Sequence, residues 1–177
     1  MIPSFLKRLI ELIDWKSAYN GRWKDGKNRA EKIIRLLPDE LYNIKPYGFL
    51  TNSIDYSKDY PTENGIPDYE VTILRNDFKF LLETTGTKSY RENIDVWVRN
   101  DKFEFAERHQ EIECWVGHII EDENLIRFFK LQTKEDFNLE NKIIRGLEER
   151  FRIIPSSSKK LLDSNEFLTH LEFLSCL

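Results

Sequence analysis

A chain of 177 residues with 40% hydrophobic, 13% aromatic and 33% charged residues of both signs can build the core of one domain, which excludes a disordered polypeptide outside loops and ends. No apolar run approaches the roughly 20 residues of a membrane span, and two cysteines, Cys114 and Cys176, exclude a disulfide framework and a zinc site. A net charge of -4 and a pI of about 5.5 exclude a protein that holds duplex by bulk charge alone.

The chain opens on an amphipathic helix over residues 4–15, whose apolar pattern is broken by Lys7, Arg8 and Glu11. That pattern is unlike a signal peptide, and the expected location is cytoplasmic. Residues 1–36 hold nine Lys and Arg against four acids, either a solvated helical face or a phosphate-contacting surface. The loop Asn20–Gly26 is punctuated by glycines. Within and after it, Arg22, Trp23, Lys24, Lys27 and Arg29 are the candidate nucleic-acid contacts, with Trp23 able to stack on a base.

From Asn28 to Leu37 the spacing of Ala30, Ile33, Ile34 and Leu37 predicts a helix that Pro38 stops. A short strand is expected at Tyr47–Ser53, then a polar loop from Asp55 to Gly65. The period then becomes two: Tyr69, Val71 and Ile73 alternate with polar residues, and Phe78, Phe80 and Leu82 follow after a turn. Further strands are expected at Ile94–Val98, Glu113–Ile120 and Leu125–Leu131, with a helix over Asp101–Gln110. Trp97 and Trp115 are expected in the core. Lys134 to Leu177 reads as mostly helical, interrupted near Pro155–Ser158. Its stripe of Leu161, Leu162, Phe167, Leu168, Leu171 and Leu174 is suited either to covering the domain or to forming a dimer face. The expected architecture is α/β, a mixed sheet flanked by helices.

The hairpin carries the functional argument. If its apolar residues share one face, paired residue numbers must have an odd sum. A two-residue turn at Arg75-Asn76 then pairs Tyr69 with Leu82 and sets Asp68 opposite Glu83 on the other face. Opposed side chains have Cβ atoms about 4.5–5.5 Å apart. Two carboxylates so placed repel, and a bridging divalent cation relieves the repulsion. The plain alternative is an exposed acidic pair on a solvated face. Asp68 follows the rigid turn Gly65-Ile66-Pro67, and Glu83 precedes Thr84, Thr85 and Gly86, so both acids fall at one edge of the sheet. Glu31, on the preceding helix, is a candidate third acid.

At these residues the chain resembles the PD-(D/E)xK nuclease superfamily, which includes restriction enzymes and archaeal junction resolvases. Pro67-Asp68 resembles its PD element, Glu83 the first acid of (D/E)xK, and Glu31 the glutamate of the first helix. The resemblance implies a restriction-endonuclease-like α-β-β-β-α-β core over residues 27–131, with a helix and loop before it (1–26) and a helical extension after it (132–177). It also implies a DNA nuclease dependent on Mg²⁺ or Mn²⁺. Asp68 and Glu83 would hold the metal, with the carbonyl of Thr84 and Glu31 completing the shell, and a homodimer would suit an enzyme cutting two strands.

One position departs from the motif. Thr85 stands where the lysine of (D/E)xK would share a strand face with Glu83. Lys102, at the start of the next helix, is the first replacement and Lys88 the second. If neither reaches the site, the chain is an inactive nuclease-fold module binding nucleic acid or a protein. His109, His118 and His170 have no ligand spacing, and no phosphate-cradling glycine motif is present.

Overall fold

The structure, a computed structural model, describes residues 26–48, 63–88, 94–132, 137–144 and 147–177. Helix α1 covers residues 26–34. It is followed by β1 (Tyr42–Pro46), β2 (Tyr69–Ile73), β3 (Phe78–Thr87), β4 (Val96–Arg99), α2 (Asn100–Arg108), β5 (Glu113–Ile120) and β6 (Leu125–Lys130). A hairpin of β7 (Asn138–Ile144) and β8 (Leu147–Ile154) leads to α3 (Ser164–Leu174).

Five strands form one mixed sheet in the order β1-β2-β3-β5-β6, antiparallel except for the parallel pair β3 and β5. A parallel pair needs a long crossover, and here the chain from β4 through α2 supplies it. The order α1, β1, β2, β3, α2, β5 is the α-β-β-β-α-β core that the resemblance implies. A second, three-stranded sheet has the order β4-β8-β7.

The strand periodicity decides what each face buries. Tyr69, Val71 and Ile73 of β2 and Phe80 and Leu82 of β3 face one core, closed by Ala30 and Ile33 of α1 and Phe167 and Leu171 of α3. Phe167 stacks on Phe128 with ring centroids 3.8 Å apart. On the opposite face Leu81, Cys114 and Val116 meet Phe103, Phe105 and Ala106 of α2 and Val96, Val98 and Ile154 of the second sheet. Strand β5 is apolar on both faces because both are covered. A Cβ at Gly117 would lie 2.9 Å from Ile33 Cγ2, so glycine here lets α1 sit close against the sheet.

Several expectations are corrected. Of the strand expected at Tyr47–Ser53, Tyr47 and Gly48 lie just past the end of β1 (Tyr42–Pro46), the Tyr47 amide adding one last bond to the Asp68 carbonyl in the register of the β1–β2 ladder; residues 49–53 lie outside the described residues. The extension after residue 132 is not mostly helical. Leu139, Ile143 and Leu147 fall at helical spacing, yet the segment pairs as β7 and β8, with β8 laid against β4. Trp115 is buried, but Trp97 is 41% exposed, on the outer face of the second sheet with Lys142 Nζ 4.7 Å from its ring centroid. The C-terminal stripe covers the domain, with Leu161, Phe167, Leu171 and Leu174 buried. The helix expected at residues 4–15 and the candidate contacts Arg22, Trp23 and Lys24 lie outside the described residues.

Candidate active site

The β2–β3 ladder has the register that the alternation predicts, Tyr69 with Leu82 through Ile73 with Phe78. The turn is longer than expected. Residues 74–77 leave the ladder, Asp77 takes a positive φ of 57°, and the Leu74 amide donates to the Leu41 carbonyl at 2.9 Å. Because each strand gives up one residue to the turn, the register is unchanged. Continued by one pair, the ladder sets Asp68 opposite Glu83, on the face that α2 covers.

Asp68 is fixed at both its backbone and its side chain. Its carbonyl accepts from the Tyr47 amide at 2.8 Å. Its Oδ2 accepts from the Thr84 amide at 2.9 Å and from Thr84 Oγ1 at 2.7 Å. Thr84 thus enters the site as a donor that orients the aspartate.

Lys102 reaches the same place from α2. Its Nζ donates to Glu83 Oε2 at 2.7 Å and to the Ile66 carbonyl at 2.8 Å, and both charged side chains are largely buried. The approach depends on Gly65, whose φ of +81° is open to glycine at little cost. A Cβ there would lie 2.0 Å from the Asp101 carbonyl oxygen. The Gly65–Asp68 turn therefore packs directly on the first turn of α2, which brings the Ile66 carbonyl and Lys102 together. Thr85 leaves the motif position without an ammonium, and Lys102 puts one against the same glutamate.

The electrostatics follow from this crowding. Burial and then the Asp68 charge push the Glu83 carboxyl up to about 7, against the pull of Lys102. Burial alone would lower Lys102, but the Glu83 and Asp68 carboxylates outweigh it and hold the ammonium above the usual lysine range. Asp101, which the sequence reading passed over, belongs to this network. Its charge bears on both groups, its Oδ2 accepts from Arg99 at 2.7 Å, and its buried Oδ1 has no hydrogen-bond partner among the described residues. Its position beside Lys102 was the available signal.

The donors present fit a hard divalent cation. Two close carboxylates offer oxygen ligands only, and Mg²⁺ commonly takes one or two carboxylates while keeping waters and substrate phosphate oxygens. Among the described residues no group of three or more His, Cys, Asp and Glu is arranged as a metal cluster, so Glu31 is not a third member of the pair. Glu31 instead lies 3.9 Å from Arg35 and lines a separate cleft of about 440 Å³ with Asn28, Arg29, Lys32, Arg35, Lys88 and Glu121. Lys88 lines this same cleft. Arg29 is ion-paired with Glu121, and Lys27 is exposed on α1. Glu70, on the face of Asp68, pairs with Lys79 at 3.1 Å.

The histidines stand apart. His109 bridges Glu63 and Glu111, whose hydrogen bonds raise its pKa. His118 is buried, neither ring nitrogen has a hydrogen-bond partner among the described residues, and burial with the Arg29 charge pushes it down to about 4.

No family model matches the sequence, and no curated protein matches it. Among solved structures the chain is similar to Hjc, a Holliday junction resolvase from the archaeal hyperthermophile Archaeoglobus fulgidus. The match has a TM-score of 0.45 and 17% identity, and covers 78% of this chain and 91% of that one. Among the described residues no helix is long and apolar enough to cross a membrane.

Proposed function

We propose that the chain is a divalent-metal-dependent nuclease that hydrolyses phosphodiester bonds of DNA. The observation that carries this reading is the contact of Lys102 Nζ with Glu83 Oε2 at 2.7 Å, beside Asp68. Two acids and an ammonium on one face of the sheet are the parts such hydrolysis needs, although β3 runs on to Thr87 and so holds Glu83 within the central strand and not at the expected edge; the lysine arrives from a different element than the motif prescribes.

Asp68 and Glu83 would hold Mg²⁺ or Mn²⁺, which when bound lowers the pKa of a water and neutralises charge on the scissile phosphate. Thr84 fixes the aspartate through its amide and hydroxyl, so one ligand arm is preorganised. Lys102 stays protonated, because the neighbouring carboxylates hold its proton, and it supplies positive charge where negative charge develops on the phosphate. The α1 cleft, with Arg29, Lys32, Arg35 and Lys88, supplies cations for the backbone of the substrate, and Lys27 extends them along α1. Such a local grip suits a protein whose net charge is -4.

The second reading is an inactive nuclease-fold module. It is favoured by Thr85 and by the two-acid donor set without a third carboxylate among the described residues. Cleavage assays on plasmid, linear duplex, single-stranded and branched DNA with Mg²⁺ or Mn²⁺, run beside Glu83→Ala, separate the two. Metal-dependent cleavage lost in the variant supports the enzyme and identifies its substrate class. DNA binding without cleavage on any substrate supports the module.

A further inference from the structure

The second sheet ends on β7, and among the described residues no strand pairs with the outer side of that strand. An open edge invites another strand, and proteins usually blunt it with proline, a bulge or charged side chains, lysine above all; here Lys142 is paired with Glu140 and held over Trp97. Residues 138–144 contain no proline, and they pair with β8 without interruption. Leu139 is 41% exposed and Ile143 78% exposed, both on the side of the strand facing away from Lys142.

The strand's own sequence specifies what fits that edge. Two copies related by a two-fold axis perpendicular to the sheet keep their faces, so only residues of like parity can stand opposite each other. That leaves three centred registers of useful length. Centring on Glu140 opposes two glutamates, and centring on Lys142 opposes two lysines. Centring on Asn141 pairs Leu139 with Ile143 and Glu140 with Lys142, each twice, with Asn141 meeting its own copy. One register joins apolar residues on one face and opposite charges on the other, and its two neighbours create like-charge contacts.

We propose that β7 pairs antiparallel with β7 of a second copy about Asn141, joining two three-stranded sheets into one of six strands, β4-β8-β7-β7-β8-β4. The occupant is a second copy of this chain because the charge order along the strand is complementary to itself. The other apolar candidate for a dimer face, the stripe of α3, is already buried against the core. The Glu140–Lys142 pairs lie on the face of Trp97, where Lys142 is held over the ring and beside its own Glu140. The inference is independent of the nuclease reading.

Sedimentation of the full chain over a wide concentration range should show a monomer–dimer equilibrium. Lys142→Glu and Glu140→Lys each oppose like charges at both symmetric positions and should weaken it about tenfold or more. Mixing the two variants restores opposite charges at both positions and should give a heterodimer of wild-type affinity, which also shows that each variant folds. In a Cys176→Ser background, Asn141→Cys should crosslink under mild oxidation, since opposed Cα atoms lie about 4.5–5.5 Å apart, and Leu139→Cys should not. A monomer at every concentration overturns the proposal. So does a dimer indifferent to both charge reversals, or one crosslinked through Leu139→Cys but not Asn141→Cys.

Discussion

Lys102 Nζ donates at once to Glu83 Oε2 and to the Ile66 carbonyl, at 2.7 and 2.8 Å. One ammonium on α2 therefore ties strand β3 to the turn that presents Asp68. Under the proposed function, Lys102→Ala removes the charge that would face the scissile phosphate and is expected to lower kcat by about 10²–10³, the cost of losing one preorganised electrostatic contact. Adding Thr85→Lys to that variant puts an ammonium on the Glu83 face of β3, two residues along, and should recover part of the lost rate. Single-turnover cleavage with saturating Mn²⁺ reads both effects. Full activity in Lys102→Ala would remove the lysine from the mechanism.

Gly65 makes that contact geometrically possible. Gly65→Ala must place a methyl against the Asp101 carbonyl at a φ of +81°. The left-handed conformation alone costs a non-glycine residue about 1–2 kcal/mol, and relief of the clash requires the turn to move off α2. Denaturant unfolding should show at least that loss. Cleavage at a temperature where the variant is folded should fall as well, because Ile66 and Asp68 move together. A variant with lower stability but wild-type kcat would separate the turn from the site.

The cations of the α1 cleft make a different kind of prediction. Lys32 on α1 and Arg35 in the turn just after it are exposed and line the cleft. If they contact phosphates, Lys32→Ala and Arg35→Ala each reduce the slope of log K against log salt by about one, while sequence preference is unchanged. Fluorescence titration of a labelled duplex at several salt concentrations, in Ca²⁺ to hold back cleavage, measures this. Unchanged slopes would assign the cleft to ordinary surface charge.

The hairpin could be read from sequence because strand parity is a strict rule. Once Tyr69, Val71 and Ile73 take the core face, parity puts Asp68 and Glu83 together on the other face, and a turn centred on Arg75-Asn76 sets them opposite each other. Lys102 was legible only as a lysine at the start of a helix beside the sheet. Its contact depends on Gly65, whose close approach to Asp101 is a tertiary fact. The β7–β8 hairpin is hidden in the sequence because Leu139, Ile143 and Leu147 satisfy a helical period, and only the pairing of β7 with β8 and of β8 with β4 makes the segment strand. The helix that does exist there begins at a capping box of Asp163 and Glu166, a local signal that marks its start at Ser164.

Two buried groups bias stability with pH in opposite directions. Glu83 titrates near 7 in the fold against 4.5 in the unfolded chain, so the folded state binds the extra proton between those values. In metal-free protein its contribution is full below about pH 4.5 and is lost as pH rises through 7. His118 titrates near 4 in the fold against 6.5 when unfolded. Its contribution is full above about pH 6.5 and is lost as pH falls towards 4. Each is worth up to about 3 kcal/mol, so between pH 4.5 and 6.5 the two slopes oppose each other. In EDTA, His118→Leu should therefore lose the acid-side decline relative to wild type, and it should cost little at neutral pH because it removes two unpartnered nitrogens from the interior. Glu83→Gln should do the reverse, exceeding wild type in metal-free stability at pH 8 while failing to gain melting temperature from added Mn²⁺. Thermal melts of the three proteins from pH 4.5 to 8, with and without Mn²⁺, separate the contributions. A Glu83→Gln variant that Mn²⁺ stabilises as well as it does wild type would place the metal elsewhere.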